Sequence, residues 1–490
     1  MTLSRRWILL AVALATFMTY LDNNIINVAL PTIQRELHLS ISGVEWVVSA
    51  YILVFAGLLL VGGRLADVFG RKRLFMLGLG IFTVASLAAG LAGSVDVLII
   101  SRVAQGLGAA LVTPTTLAII TQTYPDPREQ AGAVGAWSAV GALALAVGPL
   151  LGGGLSQHVS WNWIFFLNVP VGAATMVLGA RAIPADAGTP LEATGGRRHL
   201  DIYGLITSAL VLFPLTYGLI EGQRRGWTSP LILGCFALAA AAAVAFGLVE
   251  SHQDDPMVDV SLFRDRVFAG GSAALVMWGF GLFGIYFFTS LYLQNVLHFS
   301  PTVAGSAFVP MAVLMAAGAT ISNRVADRIG AHRSVGVAMG LMAAGIASAT
   351  LLGTHASFAD LMAPFALIGI GGGLTIPLTS TMLGVMPAER AGVASGIFNA
   401  SREMAGLLGV TVIGAILSAR ETAQLHAGHT ATDAFMTGYR TGLLVAATLV
   451  AAGGVAAWVS LRQVRPLAPT TVVGQTGESG ALPALAGAEA

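Results

Sequence analysis

The chain has 490 residues, of which 56% are hydrophobic and 10% charged, and its mean hydropathy is +0.79. That balance excludes a soluble globular protein and defines an integral membrane protein. The net charge of +1 carries little information in itself, and no nucleic-acid partner is expected.

A hydrocarbon core about 30 Å thick needs about 20 apolar residues per helix. Fourteen stretches meet that length: 7–29, 44–63, 74–93, 97–121, 131–155, 163–183, 202–220, 230–249, 267–295, 302–322, 334–353, 360–384, 393–418 and 437–461. Arg5 and Arg6 precede the first, and an Ala13-Leu14-Ala15 triplet lies within it, as in a signal peptide. The apolar run continues to Pro31, so an uncleaved first helix is expected. With the N-terminus in the cytoplasm, eighteen of the 25 basic residues fall in cytoplasmic segments, among them Arg64, Lys72, Arg128, Arg197, Arg198, Arg390 and Arg465. The positive-inside rule therefore places both termini in the cytoplasm. Prolines 114, 149, 214, 310 and 377 and many of the 60 glycines fall inside the spans, suiting helices that pack closely and bend. Cys235 is the single cysteine, which excludes a disulfide framework. The segment after Arg465 is small, polar and poor in aromatics, the composition of a disordered tail.

Two loop pairs reveal a repeat. "GGRLADVFGRKR" (62–73) aligns with "SNRVADRIGAHR" (322–333), and "REQAGAVGAW" (128–137) with "AERAGVASGI" (388–397), both at an offset of 260. The expected organisation is an N-terminal six-helix bundle (1–185), two inserted helices (196–250), a C-terminal six-helix bundle (262–463) and the tail (464–490). Parallel repeats of this kind build two-bundle carriers with the substrate near the midplane. Lys72, the one lysine, stands outside any G-x-x-x-x-G-K-[ST] motif, so no P-loop engine is encoded.

Polar residues inside spans mark function. The first span holds "MTYLDNNIINVALP" (18–31), with Asp22, Asn23, Asn24 and Asn27. Counting from the helix ends puts Asp22 about 10 Å and Arg102, in the fourth span, about 8 Å from the outer surface. Equal depth permits an ion pair tying two helices together. It equally permits a proton carrier, if a conformational change alters the solvation of Asp22 or its distance from arginine. Asn23 and Asn27 share a helix flank, where they line a cavity or bond between helices. Arg402 and Glu403 fall near the midplane of the thirteenth span, and Glu403 is a candidate second protonation site or cation contact. The ninth span carries Trp278, Phe283, Tyr286 and Phe287, a candidate wall for flat apolar ligands. The fifth holds Gly148, Pro149, Gly152 and Gly153, where glycines allow close approach and the proline removes a backbone bond. The nine histidines lie in loops or near helix ends, so neither a metal site nor a cofactor is expected, and no nucleophile-base-acid set of an enzyme is present.

In this order and spacing the motifs resemble the major facilitator superfamily, and within it the fourteen-helix drug:proton antiporters. "GRLADVFGRKRL" (63–74) is similar to the superfamily's signature loop, "SRVAQGLGAA" (101–110) to its fourth-helix arginine motif, and "GALALAVGPLLGGG" (141–154) to the antiporter motif of helix five, with Ala144 at a usual glycine. "SWNWIFFLNVPVG" (160–172), "DIYG" (201–204) and "FRDRVF" (263–268) look like the fourteen-helix subgroup. The resemblance implies an all-α membrane protein of the major facilitator fold: two six-helix bundles related by a pseudo-two-fold axis, plus two inserted helices. It implies a gate built from Gly63, Asp67, Gly70, Arg71 and Arg73, echoed by Asp327 and Arg328. The expected function is proton-coupled efflux of small hydrophobic or amphipathic compounds from a bacterial cytoplasmic membrane, by a protein acting as a monomer. A carrier for one dedicated metabolite, lipid or nutrient, and a non-transporting sensor or scaffold, are the rival readings.

Overall fold

The computed structural model describes residues 3–185, 201–253, 256, 258–384 and 391–462. Arg197, Arg198, Arg390, Arg465 and the expected tail 464–490 lie outside these residues. Within them the chain is helical and no strand occurs.

The first six crossings are α1 (Leu3–Glu36), α2 (Ile41–Phe69), α3 (Arg71–Gly90), α4 (Val95–Thr123), α5 (Pro127–His158) and the pair α6 (Trp163–Phe166) and α7 (Asn168–Ala182). The inserted crossings are α8 (Ile202–Arg225) and α9 (Pro230–His252). The last six are α10 (Arg266–Leu291), α11 (Pro301–Ile329), α12 (Ala331–Ala349), the pair α13 (Met362–Gly373) and α14 (Ile376–Gly384), α15 (Ala391–His426) and α16 (Ala431–Leu461). The face on which α1 begins is called the terminal face below, and the opposite one the far face.

Thirteen of these crossings are both long and apolar enough to span a bilayer. The fourteenth expected span is α12, a regular helix of 19 residues that rises about 28 Å. His332 and Arg333 at its start and Gly336, Gly340 and Gly345 along it lower its hydropathy without breaking it. The repeat is visible in the backbone. α2 and α11 begin and end 260 residues apart, and each runs into the next helix through one glycine, Gly70 at φ 98° and Gly330 at φ 90°. Only a residue without Cβ adopts those angles readily, which is why both copies of the loop keep glycine there.

The repeat departs from itself after α12. The counterpart of the unbroken α4 is split between α13 and α14, where a single span, 360–384, was expected. Thr375 Oγ donates to the Gly372 carbonyl at 2.6 Å, and Pro377 has no N–H to continue the ladder.

In the first half α4 packs on α2 and α3, while α1 packs on α5 and α7; in the second, α16 packs on α10 and α12, and α13 on α11 and α12. The halves meet along α5 with α11 and along α2 with α15. α8 lies over the second of these seams, touching both α2 and α15, and α9 packs on α8.

Candidate functional site

One polar node is sealed inside the first half. Asp22 of α1 and Arg102 of α4 are both 0% exposed, and Arg102 Nη1 donates directly to Asp22 Oδ2. Asp22 Oδ1 accepts from Gln105 Nε2 at 2.9 Å and from Asn168 Nδ2 at 2.8 Å. Gln105 Nε2 also reaches Ser86 Oγ at 2.8 Å, so α4 and α7 bond the carboxylate of α1 directly and α3 joins the node through Gln105. Arg102 is held separately: its Nε donates to the Val47 carbonyl at 3.1 Å, Nη1 to Gln105 Oε1 at 3.1 Å, and its guanidinium carbon lies 4.4 Å from the centre of the Tyr51 ring. In a medium without water these bonds replace the hydration both charges have lost.

α1 turns its other flank to a cavity of about 350 Å³ between the halves. Thr16, Tyr20, Asn23 and Asn24 line it from α1, Trp137, Gly141 and Leu145 from α5, and Leu275, Trp278, Leu282 and Phe283 from α10. Met315 and Ala316 of α11, Ile376 and Leu378 of α14, and Phe398, Arg402 and Glu403 of α15 complete the wall. The lining is largely apolar, and its charge is concentrated at one place. Arg402 Nη2 donates to Glu403 Oε1 at 3.0 Å and to Tyr20 Oη at 3.1 Å, joining α15 to α1. Glu403 Oε2 and the Trp278 indole nitrogen are buried within this wall and have no protein partner, one acceptor and one donor left unpaired beside the cavity.

Three residues expected in the cavity wall lie elsewhere. Tyr286 stacks on Phe308 at 5.0 Å, and Phe287 packs against Phe288 at 4.6 Å, all four buried. Tyr286 is two turns, about 12 Å, beyond Trp278 toward the far face, where packed helices have replaced the cavity. Asn27 is buried too, its Nδ2 donating to the Asn23 carbonyl at 3.3 Å.

The cavity ends where the halves lock together toward the far face. Gln294 lies in the single π-turn, Tyr292–Val296, that ends α10, and its Nε2 donates to the Val28 carbonyl at 2.8 Å. Gln157 Oε1 accepts from the Thr302 backbone N–H at 3.1 Å. The expected antiporter helix lies in the same seam. Gly148 and Gly152 lie against Asn24 and Ile25 of α1, Gly153 lies against the Pro301 carbonyl of α11, and Gly305 returns the contact against the Pro149 carbonyl. A Cβ at any of these would force the backbones apart.

At the terminal face the signature-loop cations bind helix ends of their own half. Arg71 Nη1 donates to the Ala118 carbonyl at 2.9 Å, and Lys72 Nζ to the Ala180 and Ile183 carbonyls at 2.8 and 2.5 Å. The lysine caps the end of α7, where carbonyls lack intrahelical partners, and the arginine binds within the last two turns of α4. Gly63 packs near Pro114, and Arg73 is exposed. Asp67 belongs to the last turns of α2, but its side chain lies outside what the structure describes. Asp327 and Arg328 are exposed at the corresponding end of α11.

Sequence reasoning missed Ser86, Gln105 and Asn168. Gln105 was within reach, since a spacing of three places it on the helix face of Arg102. Ser86 and Asn168 are single polar residues in apolar runs and gave no such signal.

Helical halves related by a repeat, a cavity between them and a seam that closes one face define a secondary-carrier fold. The family model described as Major Facilitator Superfamily matches residues 12–410, and the chain belongs to that superfamily. It is a transporter, not an enzyme. It is 35% identical over 84% of its length to a tetracenomycin C resistance and export protein of Streptomyces glaucescens, covering 76% of that protein. It is 35% identical over 85% of its length to the multidrug resistance protein Stp of Mycobacterium tuberculosis, again covering 76% of the relative. The puromycin resistance protein pur8 of Streptomyces alboniger is 33% identical over 98% of this chain and 95% of its own. Among solved structures, an auto-inhibited POT family peptide transporter matches with a TM-score of 0.69 at 15% identity, over 95% of this chain and 98% of its own. A bacterial homologue of the human lysosomal transporter Spinster, in an inward-facing, unoccupied conformation, matches with a TM-score of 0.64 at 17% identity, over 94% and 98%.

Proposed function

We propose that this protein exports small hydrophobic or amphipathic compounds in exchange for protons, by alternating access between two six-helix bundles (1–185 and 262–463) flanking the inserted pair (196–250). The observation that carries the reading is the cavity of about 350 Å³ between the halves, apolar and aromatic over most of its wall, with the Arg402–Glu403 pair at one edge. A flat, largely apolar molecule with one polar or cationic group matches that wall, because apolar contact supplies affinity while the charged pair at its edge orients the polar group. The relatives named for resistance to tetracenomycin C and puromycin support the same substrate class.

The terminal face is the cytoplasmic one in this reading, so the structure corresponds to an inward-facing state of a bacterial inner-membrane protein, with both termini inside. Proton coupling is assigned to Asp22. A proton arriving there cancels the carboxylate that joins α1 to α4 and α7 and leaves Arg102 unpaired, so protonation and helix arrangement are linked. Glu403 is the second proton or cation site, with Arg402 as its ion-pair partner. Gly63, Asp67, Gly70, Arg71 and Arg73, with Asp327 and Arg328, form the inner gate, and Gly148, Pro149, Gly152 and Gly153 the pliable element of the outer one. The unit of function is the monomer.

The test is transport in proteoliposomes with an imposed pH gradient, using a panel of cationic dyes and neutral antibiotics. Exchange of protons for these compounds is expected, with Asp22→Asn losing the dependence on the gradient. A wild-type protein that moves none of them, or an Asp22→Asn variant that exchanges protons normally, would contradict the assignment.

A further inference from the structure

The seam between α2 and α15 holds a carboxylate to which no role has yet been given. Glu45, on the first turns of α2, is 2% exposed. Its two carboxylate oxygens lie directly against the Cα of Gly414, so closely that a Cβ there would overlap them. Glycine at 414 is what admits the carboxyl group of Glu45, whose helix neighbours Val44 and Val48 are also buried. Among the described residues Glu45 makes no hydrogen bond and no ion pair.

Its electrostatic surroundings do not compensate. α8 presents Glu221, a second carboxylate, whose charge is already met by the Trp46 indole N–H at 3.2 Å, by Arg224 at 2.6 Å and by Arg225 at 3.6 Å. The nearest ionisable groups of α15, Arg420 and Glu421, are about 9 Å or more further along the helix. Arg102 of α4 is engaged by Asp22, Arg35 of α1 bonds Thr32, and Glu36 accepts from Trp161. While the seam is closed, nothing packed against this carboxyl group offers a cation or a donor to compensate a negative charge there.

We propose that Glu45 is a proton-binding site of the far-face gate: the α2–α15 seam closes around the protonated carboxyl and opens when it ionises. The proposal rests on the alternating-access reading, because only separation of α2 from α15 brings Glu45 to water. The closed state then carries one more proton than the open one, so its population relative to the open state falls by up to about tenfold for each unit rise in pH. Acidity on the far face closes the gate; alkalinity releases it. The fixed charge of Glu221 steepens the preference, since a second ionised carboxylate in the seam would repel it.

The test is a pair of spin labels across the far end of the seam, at Ser42→Cys and Arg420→Cys in a Cys235→Ser background, with distances measured in lipid nanodiscs from about pH 5 to about pH 9. The expected result is a short distance in acid giving way to a longer one in base. Glu45→Gln, a near-isosteric neutral replacement, keeps the short distance throughout, and Gly414→Ala, which fills the space the carboxyl occupies, favours the long one throughout. A wild-type distance indifferent to pH, or a Glu45→Gln protein that titrates like wild type, overturns the proposal. Asp22→Asn separates this claim from the coupling claim: it keeps the pH-dependent distance while losing gradient-driven exchange. If transport proves independent of protons while the distance still follows Glu45, the coupling assignment fails and the gate assignment stands.

Discussion

Replacing Asp22 by Asn removes the charge at the centre of the buried node and keeps its shape. The carboxylate accepts from Arg102, Gln105 and Asn168, and the latter two bonds are 2.9 and 2.8 Å long. An amide has one oxygen to offer in place of two, and its NH₂ faces donors that have no lone pair to receive it. Breaking a buried ion pair by removing one partner costs about 3–5 kcal/mol, because the surviving charge is stranded. Arg102, 0% exposed and with Nη2 already without a partner, has no route to water that leaves the node intact. At about 1.4 kcal/mol per factor of ten, the variant loses about two to nearly four orders of magnitude in folded-state preference. Thermal unfolding in detergent, followed by tryptophan fluorescence, reads this as a lower midpoint. Adding Arg102→Gln to Asp22→Asn neutralises both members, so part of the stability returns, while exchange driven by a pH gradient does not. An Asp22→Asn protein as stable as wild type would refute the energetic argument. A double variant with restored proton-driven exchange would show that the node is a structural tie and nothing more.

Glu403→Gln keeps the side-chain volume and removes the negative charge from the cavity wall, so KM for cationic substrates should rise about ten- to a hundredfold while neutral substrates are little affected. Parallel transport assays with a dye cation and a neutral antibiotic decide this. Gly305→Val drives a branched side chain into the Pro149 carbonyl and should open the far-face seam at a stability cost of about 1–3 kcal/mol, read as faster thiol labelling of a cysteine placed at the buried Ser156. Gln294→Leu removes the bond to the Val28 carbonyl and should weaken the same seam by about 1 kcal/mol, shifting the labelling rate in the same direction.

The helices were legible because a bilayer leaves a chain few choices. Every backbone group must be paired internally, so runs of apolar residues read as spans. Even the break at Thr375 has its cause in the printed sequence, in Pro377 after a run of glycines. The depths of Asp22 and Arg102 also followed from counting residues, since rise per residue is fixed. What counting could not supply was azimuth. Asp22 and Asn23 are adjacent in sequence, yet one faces the interior of its own half and the other the cavity. Trp278 and Tyr286 belong to one aromatic run, but the cavity ends between them, because its extent is set by α11, α14 and α15 rather than by α10. Nothing in the sequence singles out Glu45; only the partner helix, with glycine at 414, shows how deeply it is enclosed.

The most direct test of proton-driven export uses inside-out membrane vesicles given an acid lumen, with a fluorescent amphipathic cation outside. The account predicts that the dye accumulates in the lumen against its own gradient, that protons leave as it enters, and that a protonophore abolishes both fluxes in the wild-type protein. Accumulation that persists undiminished after the pH gradient is collapsed would contradict it.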